Sequence, residues 1–285
     1  MLDQAQALRN LADNDKSENK KKSKIITVTS GKGGVGKSNF VVNLAIALQQ
    51  NGKKVLIFDA DIGMGNDDVL MGLYPKHNIF DIIFTDLTIR DIIIEGAGGV
   101  SLIPAGSGLN KVQELTKEER NTFFRKLSEL DEFDYILMDT GAGVNKDILS
   151  FIAASEDLII ITTPEPTSLT DAYSLIKAAD HFKLKDNAKV VINKVFSPNE
   201  GLETFNKFDR AVKKFLQIKI EYFGYILDDK KLAQSVRAQK PFMILYPNCD
   251  ASRNIENIAL TIMGESPDKA NGVQGVFKKL FNLFS

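Results

Sequence analysis

Residues 31–38 read GKGGVGKS and fit the pattern G-x-x-x-x-G-K-[ST]. A β-branched apolar run, Ile25–Thr29, precedes this stretch, and a helical pattern over Lys37–Gln50 follows it. Glycines let the backbone curl so that several N–H groups face one anion, and the positive end of the following helix adds to that field. The stretch therefore predicts a phosphate-binding loop between a strand and a helix.

The polar residues of this loop have expected roles. Lys37 can bridge the β- and γ-phosphates of a nucleoside triphosphate, and the Ser38 hydroxyl can ligate Mg²⁺. The backbone that cradles the phosphates is expected to run through Gly33, Gly34, Val35 and Gly36.

Two strand candidates end in aspartate. Val55–Phe58 leads into Asp59-Ala60-Asp61, and Tyr135–Met138 leads into Asp139. The carboxyl ends of parallel strands meet at the edge where doubly wound folds bind ligands. We therefore expect one carboxylate to hold the water shell of a metal and another to orient the attacking water.

The chain alternates strand and helix signals from Lys24 onward. Most strand candidates lack polar alternation, which is typical of strands buried on both faces of a parallel sheet. We predict an α/β fold over residues 24–265, a doubly wound and mostly parallel sheet of the P-loop NTPase type. The predicted strands are Ile25–Thr29, Val55–Asp59, Val100–Pro104, Tyr135–Asp139, Leu158–Thr162, Val190–Asn193 and Tyr222–Leu227. The predicted helices include Lys37–Gln50, Lys117–Leu130, Ser168–Phe182 and Glu203–Phe215.

Composition excludes several classes of protein. The 285 residues are 44% apolar and 26% charged with a net charge of −1, which excludes a disordered polyelectrolyte and a generically basic nucleic-acid binder. One cysteine, Cys249, leaves no internal disulfide and too few thiolates for a cysteine-based metal site. The polar first 24 residues carry no signal-peptide pattern, and no apolar run is long enough to span a bilayer. We expect a cytoplasmic protein.

The two terminal segments differ from the domain between them. Residues 1–23 predict a short helix followed by a charged, flexible linker. Residues 266–285 end in VQGVFKKLFNLFS, whose spacing predicts an amphipathic helix. Its apolar face, with two lysines beside it, predicts association with an anionic membrane surface, and the alternative is a helix that packs in the core or in a dimer. The predicted membrane-binding residues are Val276, Phe277, Leu280, Phe281 and Phe284.

The loop's second lysine, Lys32, makes KGGVGKS similar to the deviant phosphate loop of the MinD/ParA ATPases. The resemblance continues in order through FDADIGMGN (58–66), MDTGAG (138–143), TTPEPTSLTDAY (162–173) and VINK (191–194). It implies an enzyme that binds ATP and Mg²⁺, hydrolyses ATP to ADP and phosphate, and forms a homodimer with ATP. It also implies that Lys32 contacts the partner's nucleotide, Asp61 positions the attacking water, Asp139 binds the metal through water, and Asn193 contacts adenine.

The N-terminal DQAQALR resembles a motif of the FlhG branch of these ATPases, also called FleN or YlxH. This resemblance implies control of flagellar number and placement, and stimulation of the signal-recognition-type GTPase FlhF. Flagellar switch-ring proteins or a flagellar transcription regulator are further implied partners, and the ATP-bound dimer is implied to associate peripherally with the membrane. The motif residues assigned to partner binding are Asp3, Gln4, Ala5, Leu8 and Arg9.

Other functions stay open or are disfavoured by charge and composition. A MinD-type division-site regulator shares the loop and the terminal helix, and an ATP-gated adaptor with little turnover would need only nucleotide binding. DNA segregation of the ParA kind is disfavoured because residues 25–268 hold 27 basic and 33 acidic residues, a net charge of −6. No nucleic-acid partner is expected. Delivery of metal clusters is disfavoured by the single cysteine.

Overall fold

The computed structural model describes residues 23–61, 65–79, 81–104, 116–264 and 272–284. The strands within these ranges are β1 (Lys24–Ser30), β2 (Val55–Ala60), β3 (Ile94–Glu95), β4 (Ser101–Pro104), β5 (Tyr135–Ala142), β6 (Asp157–Thr162), β7 (Asn187–Val195) and β8 (Lys219–Leu227). They form one sheet in the order β3-β4-β2-β5-β1-β6-β7-β8. Every neighbouring pair is parallel except β3–β4, which is antiparallel.

Helices connect the strands and cover both faces of the sheet. The helices of the first half are α1 (Lys37–Gln50), α2 (Asp67–Met71), α3 (Asp81–Phe84), α4 (Ile89–Ile92), α5 (Lys117–Leu127) and α6 (Lys146–Ala154). Those of the second half are α7 (Pro166–His181), α8 (Pro198–Phe215), α9 (Lys230–Arg237), α10 (Phe242–Leu245), α11 (Asp250–Gly264) and α12 (Gly272–Phe284).

The predicted fold class is confirmed, and a strand is found at each of the seven predicted positions. The sequence patterns missed β3, because two residues at an antiparallel edge are too short to show a periodicity. Helix α8 begins at Pro198, earlier than the predicted Glu203. Ser197 caps it by accepting a hydrogen bond from the Glu200 N–H, and proline suits the first helical position.

Apolar side chains pack on both faces of the sheet, since successive strand residues point to opposite sides. On one face, α1, α10 and α11 cover residues such as Val28, Ile57 and Leu137. On the other face, α5, α6 and α12 cover β2 and β5, while α7 and α8 cover β6 and β7. Helix α1 is buried on nearly every side, so the segment that follows the phosphate loop lies on a rigid element.

The register of the central strands brings the predicted polar residues to one edge. Asp59 of β2 pairs with Asp139 of β5, and Val28 of β1 pairs with the same aspartate. The loop at residues 31–36 follows β1 directly. The strands therefore deliver a glycine-rich loop and two aspartates side by side at the carboxyl edge of the sheet.

Candidate functional site

The predicted phosphate loop connects β1 to α1 and is braced from β7. Gly36 has a φ of 92°, a left-handed conformation that favours glycine, and α1 begins at the next residue. The Asn193 Nδ2 donates a hydrogen bond to the Val35 carbonyl at 2.7 Å, and the Lys194 Nζ donates to the Gly34 carbonyl at 2.8 Å. The loop is thus anchored in front of a helix N-terminus, the arrangement that binds phosphate in proteins.

Lys37, Ser38 and Asp139 lie together beneath this loop. The Lys37 Nζ is 2.6 Å from the Asp139 Oδ1 and 3.4 Å from the Ser38 Oγ. Both charged side chains are buried, which makes their contact a charge-assisted hydrogen bond shielded from water. Burial raises the pKa of Asp139, while the Lys37 ammonium counteracts that rise. These three residues are the ones that the sequence assigned to phosphate and metal.

Asp59 organises the segment between β2 and α2. Its Oδ1 accepts the Asp61 N–H at 3.1 Å, and its carboxylate also accepts the backbone N–H of Asp67. A Cβ on Gly65 would lie 2.3 Å from the Asp59 Oδ2, so only glycine fits there. Burial, reinforced by the charge of Asp139, raises the pKa of Asp59 to about 7. One carboxylate therefore holds both ends of the segment that carries Asp61.

Asp61 lies beside Gly141, near the carboxyl end of β5. A Cβ built on Gly141 would be 3.1 Å from the Asp61 Oδ1. The Asp61 side chain is half-buried and lines the same cleft as Lys37 and Ser38. Asp61, which the sequence linked to catalysis, is therefore close to Gly141 of the MDTGAG motif in the folded chain.

Asp67 is a buried acid that the sequence analysis missed. It is the first residue of α2, is fully buried, and neither of its carboxyl oxygens accepts a hydrogen bond from an N–H, ammonium or hydroxyl group of the other described residues. Burial, followed by the negative charges of Asp139 and Asp59, raises its pKa well above the ordinary value. An acidic residue in the first turn of a helix usually complements the helix dipole, so its type and position gave no signal of burial.

Lys32 lies at the rim of the site and contacts its own chain. Its Nζ is 3.1 Å from the Glu165 Oε2 and 2.8 Å from the Thr167 Oγ1, at the start of α7. All three side chains take part in exposed contacts. The predicted contact of Lys32 with a partner's nucleotide stays a prediction.

A cleft of about 870 Å³ opens from the phosphate loop toward β8 and α9. Its far end combines apolar side chains, among them Leu232 and Val236, with the polar Asp228 and Arg237. This volume and mixed lining are typical of sites for drug-sized or nucleotide-sized ligands. The cleft therefore offers a phosphate end and a mixed apolar and polar end.

Comparisons with known proteins agree with this geometry. A family profile described as an AAA domain matches residues 23–192. The antiactivator FleN of Pseudomonas aeruginosa is 36% identical over 236 residues, which cover 82% of this chain and 84% of FleN. The flagellum site-determining protein YlxH of Helicobacter pylori is 36% identical over 291 residues, which cover 98% of each chain. The chain belongs to the FleN/YlxH family of MinD-like ATPases.

A solved structure extends this relationship to three dimensions. A chain of the MinC:MinD cell division protein complex of Aquifex aeolicus superposes with a TM-score of 0.67 at 28% identity, covering 86% of this chain and 98% of that one. The family resemblance predicted from the motifs is therefore confirmed, together with the MinD-like fold.

Asn193, which the resemblance assigned to adenine, lines the cleft and also contacts the phosphate loop. Besides its bond to the loop carbonyl, its Oδ1 accepts the Lys194 N–H at 2.8 Å, and the side chain is 5% exposed. It braces the phosphate loop of this MinD-like domain from below. An amide retains a second N–H and a second lone pair, so contact with adenine stays a prediction.

The terminal helix α12 lies on its own domain. Val276, Phe277 and Leu280 are buried among β2, α5 and α6, and the Phe277 ring meets the Phe58 ring edge-on at 5.5 Å. The Val273 N–H donates to the Asp131 Oδ1 at 3.0 Å, which caps the helix. Three of the five predicted membrane-binding side chains are thus covered by protein in this structure, while Lys278 and Lys279 are exposed.

Several predictions lie outside the described residues. The N-terminal segment with its partner-binding residues is not among them, and neither are the side chains of Phe281 and Phe284. Among the residues that are described, no helix has the length and apolarity required to cross a membrane.

Proposed function

We propose that this chain is an ATP-hydrolysing switch that regulates flagellar number and placement. The observation that supports it most is the buried Lys37–Asp139 pair, with Ser38 beside it, beneath a braced phosphate loop and with Asp61 at the same sheet edge. The flagellar role is supported by similarity to FleN and YlxH, whose names describe an antiactivator and a flagellum site-determining protein.

The site residues divide the work of phosphoryl transfer among them. Ser38 would ligate Mg²⁺ and Asp139 would hold it through water; the bound ion supplies neutralisation of phosphate charge. Lys37 would move from Asp139 to the β- and γ-phosphates, because its ammonium lies directly beneath the loop that would hold them. Asp61 would orient a water whose oxygen attacks the γ-phosphorus while the bond to the β–γ bridging oxygen breaks, releasing ADP and phosphate.

Dimerisation would complete the site. Lys32 would leave Glu165 and Thr167 and reach the nucleotide of a second chain, which requires only a change of partner for an exposed ammonium. Exposed ion pairs contribute little free energy, about 0–1 kcal/mol, so this exchange costs little. A phosphate at the dimer interface offers more negative charge than one glutamate.

Membrane association would require release of α12. The helix packs against α6, and α6 follows the segment Gly141–Asn145, which begins beside Asp61. A nucleotide-dependent movement of that segment would therefore shift α6 and the surface on which α12 packs. Release exposes an apolar face flanked by Lys278 and Lys279, and two such helices on one dimer bind an anionic membrane better than one. Docking and lipid binding would compete for the same side chains.

Asp61→Ala tests the switch. The variant is expected to bind ATP, to lose turnover by about 100-fold or more, and to accumulate as a dimer that sediments with anionic liposomes. Light scattering with ATP measures the dimer, and Asp68→Ala is the matched control because Asp68 lies on the same segment away from Gly141. An Asp61→Ala chain that remains monomeric with ATP contradicts the switch.

The N-terminal role has a separate test. A peptide of residues 1–20 is expected to stimulate GTP hydrolysis by FlhF, and Gln4→Ala is expected to abolish that stimulation. Stimulation of the ATPase by Min partners, with no effect of the intact peptide on FlhF, would favour the division-site alternative.

A further inference from the structure

Asp67 has no role in the reaction described above, although it is buried beside Asp139 and Asp59. Its side chain is 0% exposed, and neither carboxyl oxygen accepts a hydrogen bond from an N–H, ammonium or hydroxyl group of the other described residues. The carboxyl group is within hydrogen-bonding reach of the Asp139 carboxyl and feels the charges of Asp59 and Lys37. Its backbone N–H is held by Asp59, which fixes the position of the residue.

A carboxylate at this place is costly. Burying an ionised group without a cation to pair with it carries a large desolvation penalty, and an apolar residue of similar size would fill the space more favourably. The cation acting on Asp67, Lys37, is already paired with Asp139 at 2.6 Å. Three buried carboxyl groups (Asp59, Asp67 and Asp139) therefore share one ammonium, and that ammonium is the one expected to move to phosphate.

We propose that Asp67 is a further carboxylate of the divalent-cation site and contacts the water shell of the Mg²⁺ that Ser38 and Asp139 would hold. The proposal rests on the nucleotide site described under the proposed function. A divalent cation supplies the positive charge that the three carboxyl groups lack once Lys37 has turned to the phosphates. Asp67 would add a carboxylate to this site from the start of α2, the helix that follows Asp61 in the chain.

Contact through water fits the described residues better than direct coordination. Among these residues, no three side chains of His, Cys, Asp or Glu are arranged to hold a metal ion. Mg²⁺ loses its water reluctantly and keeps several water ligands when one hydroxyl and phosphate oxygens bind it. Carboxylates that accept hydrogen bonds from such waters orient them and raise metal affinity.

Binding of Mn²⁺ in the presence of ADP tests this role without relying on turnover. Electron paramagnetic resonance follows free Mn²⁺ during a titration of the full chain with ADP bound. Asp67→Asn is expected to weaken Mn²⁺ binding by about tenfold. Its ADP affinity in excess EDTA is expected to equal that of the wild type. Asp68→Asn is the matched control, because the adjacent side chain on α2 is partly exposed, and it is expected to bind Mn²⁺ like the wild type.

Asp67→Leu separates a metal role from a merely buried acid. This variant is expected to raise the urea midpoint of the metal-free chain, because an apolar side chain replaces an unpartnered carboxylate, and to lose Mn²⁺ affinity as Asp67→Asn does. Wild-type Mn²⁺ affinity in both variants overturns the proposal and leaves the nucleotide site standing. A wild-type chain that binds ADP but no Mn²⁺ overturns the cation site itself, and the role of Asp67 with it.

Discussion

The phosphate-loop edge and the surface under α12 are built on opposite principles. At the loop edge, charged groups are buried and held by specific hydrogen bonds, such as Lys37 to Asp139 and Asn193 to Val35. Under α12, the contact is mainly an apolar face, with the Val273 N–H bound to Asp131 at the start of the helix. The first region requires particular atoms at particular distances, whereas the second requires only that apolar surface be covered.

This difference explains why one region can change its partner more easily than the other. A buried polar group without its partner costs free energy at once, so the loop edge is committed to the ligands that satisfy it. An apolar face gains about the same from any covering that excludes water, whether that is its own domain or the hydrocarbon of a membrane. The phosphate-loop edge is therefore suited to binding one specific ligand, whereas α12 is suited to exchanging one apolar partner for another.

The largest expected effect comes from Lys37→Ala, a substitution at the phosphate-loop edge. Loss of two charge-assisted hydrogen bonds to phosphate is expected to weaken ATP binding by about 100-fold. The change also leaves Asp139 buried without its ion-pair partner, which is expected to lower the free energy of unfolding by about 3–5 kcal/mol. Fluorescent-nucleotide titration and urea denaturation measure the two losses.

Lys76→Ala is the control for this variant, because Lys76 is exposed and lies away from the site. It is expected to change neither quantity by more than about 0.5 kcal/mol. ATP affinity in Lys37→Ala equal to that of Lys76→Ala would show that the loop edge is not the phosphate site.

Phe277→Ala tests the surface under α12. It is expected to lower the free energy of unfolding by about 3–4 kcal/mol. The ring is 6% exposed and lies edge-on to both Phe58 and Phe123, so its removal leaves a cavity under α12. Urea denaturation measures the loss, and Lys278→Ala on the exposed side of the helix is the control. A loss below about 1 kcal/mol would mean that α12 spends little time docked in solution.

The two regions also differ in how well the sequence predicted them. The loop and the aspartates Asp61 and Asp139 follow from contiguous motifs at strand ends, because the parallel sheet itself brings strand ends together. The apolar face of α12 was equally visible, but an amphipathic pattern does not specify what covers it. The pattern predicted a membrane helix or a core helix, and only the folded chain places its face on α5, α6 and β2.

What the sequence could not predict depends on distant contacts. Lys32 meets Glu165, which is 133 residues away along the chain, and no local pattern encodes that pairing. The burial of Asp67 is similar, because it depends on how α2 packs on α1 and β4 and brings Asp67 next to Asp59 and Asp139. Asp59 was predicted at a strand end, but its hydrogen bonds to the N–H groups of Asp61 and Asp67 follow only from the folded structure.

Gly65→Ala tests whether the phosphate-loop edge tolerates a small steric change. The added methyl group would meet the Asp59 carboxylate at 2.3 Å, so the segment carrying Asp61 must shift. The free energy of unfolding is expected to fall by about 1–3 kcal/mol, and ATP turnover is expected to fall more than ATP binding. Parallel assays of turnover and nucleotide affinity distinguish the two. Gly264→Ala, where a methyl group has open space, is the control and is expected to leave both unchanged.

Asp131→Ala has the smallest expected effect and tests the exchange most directly. It removes the carboxylate that caps α12 while leaving the apolar face of the helix intact. Loss of a helix cap costs about 1 kcal/mol, so the docked state is expected to weaken by about fivefold. If docking and lipid binding compete, binding to anionic liposomes should strengthen by the same factor, as measured by co-sedimentation without nucleotide.

The control is Glu129→Ala, which removes an exposed acidic residue from the same short segment without touching α12. Both substitutions remove one negative charge, so a general electrostatic gain on an anionic surface would appear equally in the two variants. A gain in lipid binding confined to Asp131→Ala ties membrane association to undocking. Equal gains in both variants would attribute the stronger lipid binding to surface charge. The apolar face of α12 would then serve only to pack against its own domain.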